Sequence, residues 1–335
     1  MSANTTFPAL LERFFTARLL QQKHVSPHTI ASYRDTFCLL LRYTSTRLRK
    51  APSQLALLDL DAALLVAFLD DLQQTRGTSD RSRNVRLAAI HSFFHFAALE
   101  TPQHSGLIEQ VLAIPSKRYE RTPIAYLTSA ESAALLDAPD LSTWLGRRDH
   151  TLLLVTLQTG LRVSELISLR WQDVVLETGA HVSCTGKGRK KRCTPLRPDA
   201  IVALQRWRSE HSPTPSAIVF PSTRGKPLSR DAVADLVRKH LAQARQQCPS
   251  LAGKRVTPHV LRHSAAMALL HSGVDCAVIA MWLGHESMDT TQIYLHASLE
   301  LKQQALAKAT PMSEWSGSPH RYHPDDVLLA FLKGL

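Results

Sequence analysis

The sequence predicts a mainly α-helical protein of two domains with one small antiparallel β-sheet. Apolar residues recur at three- and four-residue intervals along most of the chain, the spacing of helices that bury one face. Strand-like sequence is confined to a stretch beginning at Val174, where two β-prone runs flank the turn-forming GKGRKK. A Pro-containing basic segment without periodicity, IPSKRYERTP, divides the 335 residues into two parts, each long enough to bury its own core.

The first domain, residues 1–115, is expected to be all helix. In VSPHTIASYRDTF, Ser26 is placed to cap a helix whose first position is Pro27, and Ile30, Tyr33, Phe37, Leu40 and Leu41 form its apolar stripe. A second helix begins near Asp59 or Asp61 and stops around Gly77. A third carries Leu87, Ile90, Phe93, Phe94 and Ala97 on one face, with Arg81, Arg83 and Arg86 in its first turns. Arginines at a helix start oppose the helix dipole. They are either a solvated face or a helix end turned toward phosphates, and the second reading makes this domain a small helical clamp on a duplex.

Residues 116–127 form the linker and residues 128–310 the second domain. Thr128 and Glu131 stand at the spacing of a capping box. An apolar helix across residues 149–157 runs into Gly160, and a new one opens with LRVSELISL. Gly186 and Gly188 permit a hairpin turn with Lys187 at its tip, beside Arg189, Lys190 and Lys191. Helices at 199–211 and 229–247 follow. Thr257 and Pro258 then start a helix that stops near Gly273, an apolar helix spans 274–283 and ends at Gly284 and His285, and a third helix carries Tyr294. The tail, residues 311–335, closes with PDDVLLAFLKGL, which reads as a short capped helix.

A net charge of +12 favours a polyanionic partner. Five scattered cysteines without a CxxC pair point to a reducing cytosol and away from a disulfide framework or structural zinc. The N-terminus lacks a secretory pattern, and no run of about 20 apolar residues occurs, so a cytoplasmic protein without a membrane partner is expected.

Breaking a DNA phosphodiester without a metal needs an in-line nucleophile, cations on the non-bridging oxygens and a proton for the leaving oxygen. Tyr294 offers a phenol oxygen, Arg162 and Arg262 two fixed charges, and His285 a hydrogen bond. His259, one turn from Arg262 on the same helix face, can relay the tyrosine proton, and Lys187 can protonate the leaving oxygen. Glu165, three residues after Arg162, can hold that arginine rigid. Each also has an ordinary structural role: a core tyrosine, an Arg–Glu ion pair, capping histidines, a solvated loop lysine. No paired carboxylates or His/Cys sets stand at metal spacing, so neither a metal nor another cofactor is expected.

TGLRVSEL, the lysine of TGKGRKKR, HVLRH, LGH and the downstream tyrosine together resemble the tyrosine recombinases of the phage-integrase family. VSPHTIASYRDTF and RSRNVRLAAIHSFFHFA resemble the helical core-binding domain of its Xer-type members. The resemblance implies a C-shaped two-domain clamp on double-stranded DNA. Arg162, Lys187, His259, Arg262 and His285 would form the catalytic pocket, with Tyr294 as nucleophile and Glu165 in support. It implies a synaptic homo-tetramer, or assembly with a related recombinase, that exchanges strands through a Holliday junction and phosphotyrosine bonds without ATP. The first family-like helix starts so early that no additional arm-binding domain is expected, which points to a Xer-like protein or the integrase of a transposon or plasmid. Two alternatives are a strand-relaxing enzyme of the type IB topoisomerase kind and a non-cutting DNA-binding protein on the same scaffold. The small helical clamp argues against the first and the complete residue set against the second. The tail helix is expected to dock in a neighbouring protomer.

Overall fold

A computed structural model describes residues 6–120, 124–186, 191–210, 213–285 and 289–297. The chain separates into two compact units, Met1–Arg121 and Thr122–Leu335.

The first unit is helical. α1 (Phe7–Arg13) continues into wider π-type turns over Phe14–Gln22, followed by α2 (Pro27–Leu48), α3 (Ala62–Arg76), α4 (Asp80–Glu100) and α5 (Ser105–Leu112). Side-chain caps set the starts: Ser26 accepts the Thr29 N–H, Asp61 that of Leu64 and Ser79 that of Ser82, each satisfying a donor the helix leaves free. Phe14, Phe37, Phe93 and Phe94 meet in the core, with Phe93 edge-on to Phe14 at 5.5 Å and to Phe37 at 5.4 Å.

This packing corrects one expectation. Arg83 and Arg86 are not part of an exposed basic edge. Arg83 is 3% exposed with its guanidinium directed to the Pro115 carbonyl, and the half-buried Arg86 is directed to Thr36 Oγ1. The cause is helical spacing, since Arg83 continues the stripe of Leu87, Ile90 and Phe94, and Arg86 that of Ile90, Phe93 and Ala97. Of the three, only Arg81 is exposed. Beyond α5, Lys117 is pinned by paired backbone bonds with the Asn84 side chain, and its ammonium reaches Asp70 and Gln73.

In the second unit come α6 (Ser129–Asp137), α7 (Trp144–Thr159) and α8 (Val163–Ser168), then β1 (Val174–Val175), β2 (His181–Thr185) and β3 (Lys191–Pro195). α9 (Pro198–Ser209), α10 (Arg230–Gln247), α11 (Pro258–His271), α12 (Cys276–Leu283) and α13 (Asp289–Ala297) complete it. Thr128 and Glu131 form the capping box of α6. α7 packs against α6, α9 and α11 and starts at Trp144, earlier than expected. Arg147 and Arg148 in its first turns conceal the start; Arg148 is buried and paired with Asp149, which in turn meets His240 of α10. The three strands pair antiparallel in the order β1-β2-β3, with Cys184 opposite Arg192 and Thr185 opposite Lys191. None of the described helices is long and apolar enough to cross a membrane.

Candidate active site

Two helix-ending glycines frame the site. α7 stops at Gly160 (φ 62°) and α12 at Gly284 (φ 64°), both in the left-handed conformation that costs glycine little. The last carbonyls of a helix lack partners within it and lie at the negative end of its dipole. At the end of α12 three consecutive carbonyls each meet a guanidinium. Arg192 Nε donates to the Trp282 carbonyl at 3.2 Å, Arg262 Nη2 to that of Leu283 at 2.7 Å and Arg162 Nη2 to that of Gly284 at 2.9 Å. Arg262 Nη1 also donates to the Gly160 carbonyl at 2.5 Å, so one side chain ties the two turns together.

Glu165 holds this group from α8. Its Oε2 accepts the Arg162 backbone N–H at 2.8 Å, capping the helix, while Oε1 accepts Arg162 Nη1 at 3.0 Å. Both oxygens also accept from Arg192, at 2.9 and 2.7 Å. Burial alone would raise the Glu165 carboxyl, but the Arg192 hydrogen bonds, the Arg162 N–H and the Arg192 charge hold it below the usual range. Burial, then the neighbouring Arg162 charge, pushes Arg262 down to about 10, which leaves it protonated near neutral pH.

α11, α13 and the turn that follows α12 bring in a row of rings. His259 stacks on His263 (6.1 Å), His263 meets Tyr294 edge-on (5.6 Å), and Tyr294 lies nearly parallel to His285 (6.3 Å). The Tyr294 hydroxyl is 3.0 Å from His263 Nδ1, and His285 Nδ1 is 2.8 Å from Thr291 Oγ1. Tyr294 is 1% exposed and packs with Met267, Leu270, Ile279 and Leu283, so its ring is a core side chain while its oxygen reaches the histidines. Burial raises its phenol pKa, and the charges of Arg262 and Arg162 offset this only in part. Burial and the adjacent cationic groups lower His285 and His263 to about 4 and bring His259 below its ordinary value. Near neutral pH these rings are therefore uncharged, so His285 and His259 can offer hydrogen bonds but no charge.

Arg162, Glu165, His259, Arg262, His285 and Tyr294 thus come together in one region. Lys187, Arg189 and Lys190 lie outside the described residues; Lys191 is exposed at the start of β3. The tyrosine hydroxyl is bound to His263 rather than to His259, which the sequence reading chose as proton relay. His263 and Arg192 are the two site residues that reading missed. His263 stands one helical turn after His259, a spacing that places both on one face. Arg192 is hidden in a run of basic residues, and only strand pairing separates it from its neighbours.

Residues 125–300 match the model of the phage integrase family, and residues 11–101 match that of the phage integrase N-terminal SAM-like domain. The chain belongs to the phage integrase family. It is a site-specific DNA recombinase of the tyrosine type. The recombinase is 55% identical over 335 residues to the protein named integrase/recombinase y4rC of Sinorhizobium fredii, covering 100% of both chains. It is 33% identical over 302 residues to the tyrosine recombinase XerC of Pelobacter propionicus, covering 89% of this chain and 94% of that one. Its fold resembles that of XerH bound to palindromic difH substrate in a post-cleavage complex (TM-score 0.69, 22% identity, 85% of this chain and 81% of that one). It also resembles a lambda integrase dimer bound to a COC′ core site (TM-score 0.61, 20% identity, 84% and 96%). These relatives do not favour the strand-relaxing alternative.

Proposed function

We propose that this recombinase cuts and rejoins double-stranded DNA through a 3′-phosphotyrosine bond made by Tyr294. The convergence of Arg162, Arg262 and His285 at the end of α12, with the Tyr294 ring stacked on His285, carries the reading. Arg162 and Arg262 neutralise the non-bridging oxygens and His285 donates a further hydrogen bond. The tyrosine oxygen forms a bond to phosphorus and gives its proton to a neighbouring histidine. The bond to the 5′ oxygen breaks, and that oxygen takes a proton from Lys187. A phenol that is 1% exposed must move before it meets a phosphate, so attack requires α13 to shift on DNA binding.

Attack by a partner strand's 5′-hydroxyl reverses the step and conserves bond energy, so no ATP is consumed. Pairwise exchange then passes through a Holliday junction in a homo-tetramer, or in an assembly with a related recombinase. A lambda integrase of similar fold forms a tetramer on a Holliday junction, which supports this part of the reading. In the same proposal residues 1–115 grip the duplex with Arg81, residues 116–127 link, residues 128–310 catalyse with Glu165 in support, and Arg189, Lys190 and Lys191 contact DNA. The tail, 311–335, docks on a neighbouring protomer, and the reaction takes place in the cytoplasm on chromosomal or mobile-element DNA.

The test is covalent trapping on a nicked duplex carrying the site that the wild-type chain selects from a randomised DNA pool. An adduct formed by the wild type and absent in Tyr294→Phe supports the assignment. An adduct persisting in that variant refutes it.

A further inference from the structure

Arg192 is given no step in the cleavage chemistry above, yet it holds both sides of the site. We propose that Arg192 is a positioning residue for strand cleavage. By occupying the Glu165 carboxylate and the Trp282 carbonyl, it sets where Arg162 and the turn carrying His285 stand, without touching DNA. This role rests on the reading of Arg162 as a phosphate-binding residue.

The β2–β3 register explains its placement. Arg192 pairs with Cys184, so its side chain leaves the sheet on the face opposite to those of Lys191 and Cys193, its neighbours in the chain. Lys191 is exposed, whereas the Arg192 side chain is 11% exposed, too enclosed for the solvated grip on a DNA backbone that the surrounding basic run suggests. Its planar fork makes two parallel bonds to Glu165, and its Nε–H reaches a carbonyl on another helix. A lysine ammonium, a point charge with no second fixed donor direction, cannot span all three oxygens.

Packing is equally specific. A Cβ on Gly284 would stand 2.9 Å from Arg192 Nη1 and 3.1 Å from its Cδ, and one on Gly186 would stand 3.2 Å from the same Nη1. Gly186 and Gly284 thus leave the room this guanidinium fills. The electrostatic consequence falls on Arg162. With Arg192 in place, Glu165 is neutralised by two guanidiniums, and Arg162 spends one Nη1 bond on it and one Nη2 bond on Gly284, while its side chain stays 28% exposed. Without Arg192, Arg162 is the only arginine among the described residues still bonded to the buried carboxylate, which draws it inward and weakens its field at a phosphate. The turn at Gly284 also loses one of its three arginine tethers.

The experiment compares full-length wild type with Arg192→Lys, Arg192→Gln, Glu165→Gln and Tyr294→Phe, using the nicked duplex described above. DNA binding and the single-turnover rate of adduct formation are measured separately. Arg192→Gln is expected to form adduct about 100-fold more slowly at saturating protein, with binding changed less than about threefold, as for loss of a fixed transition-state donor. Arg192→Lys, which keeps the charge and the fold but not the fork, is expected to lose about tenfold in the same rate constant. Combining Arg192→Gln with Glu165→Gln should cost less than the product of the two single effects, because the stranded carboxylate is gone. A merely structural role would lower thermal stability or binding and leave the saturated rate unchanged. Wild-type saturated rates in Arg192→Lys and Arg192→Gln would overturn the proposal. So would rescue of Arg192→Gln by a 5′-bridging phosphorothiolate, because that would move its action to the leaving-group proton. Tyr294→Phe reports on the site reading itself, so failure of the nucleophile assignment stays distinct from failure of the positioning role.

Discussion

Acidification should destabilise the second unit through its histidines before its carboxylates take up protons. His263 and His285 ordinarily titrate at 6.5, and in the fold both lie at about 4. A ring whose folded pKa is depressed binds its proton more readily in the unfolded chain. Stability is therefore fully present above about 6.5 and is lost as pH falls toward about 4. At 1.4 kcal/mol per pH unit, that distance corresponds to a ceiling of about 3 kcal/mol per ring. Solvent reaches part of both rings, which reduces the effect to about 1–2 kcal/mol each. His259 acts in the same direction. Glu165 and Glu131 are held below their ordinary values, so their contribution is lost only at lower pH, leaving pH 5 to 6.5 to the histidines. Urea unfolding of the full chain at pH 7, 6 and 5 measures this. All five tryptophans, Trp144, Trp171, Trp207, Trp282 and Trp315, lie beyond the first unit, so their fluorescence reports on the second. The wild type should lose stability over this range, and a His263→Gln/His285→Gln variant should lose clearly less. Equal slopes in the two proteins would refute the picture of an uncharged ring row beside the arginines.

Three further outcomes are expected. Gly160→Ala should cost about 2–4 kcal/mol in urea unfolding and slow adduct formation, since it combines left-handed strain with overpacking; its Cβ would stand 2.6 Å from Leu283 Cδ2 at φ 62°. Arg81→Ala should weaken DNA binding and reduce the salt slope by about one, whereas Arg83→Ala should leave the slope unchanged and lower stability by about 2 kcal/mol through lost packing. Salt titrations of binding separate the two. Deleting residues 324–335 should reduce tetramer formation on paired sites, seen by native mass measurement, while single-site binding stays within about twofold.

Much of the fold was legible because local chemistry marks it. Ser26, Asp61 and Thr257 cap helices, and Gly77, Gly160 and Gly284 end them, since each role depends on one residue and its immediate neighbours. Arg83 misled because its charge outweighed its register in the reading, although the spacing to Leu87 already placed it on the buried face. The start of α7 was missed for a related reason: the sequence places it at Asp149 because the charged Arg147 and Arg148 before it look like loop polarity, whereas Arg148 is buried with the Pro221 carbonyl and Asp149 as partners.

The sequence by itself determined the helices, the two β-prone runs and which residue types could neutralise and attack a phosphate, because capping, periodicity and side-chain chemistry are local properties. Only the tertiary structure decided which arginine serves which oxygen. The carbonyls of Trp282, Leu283 and Gly284 are free because α12 ends there, and Arg192, Arg262 and Arg162 reach them from positions 90, 21 and 122 residues away in the chain. The same holds for Tyr294, whose hydroxyl meets His263 across 31 residues. Such partnerships depend on how helices pack, a long-range outcome that no local pattern encodes.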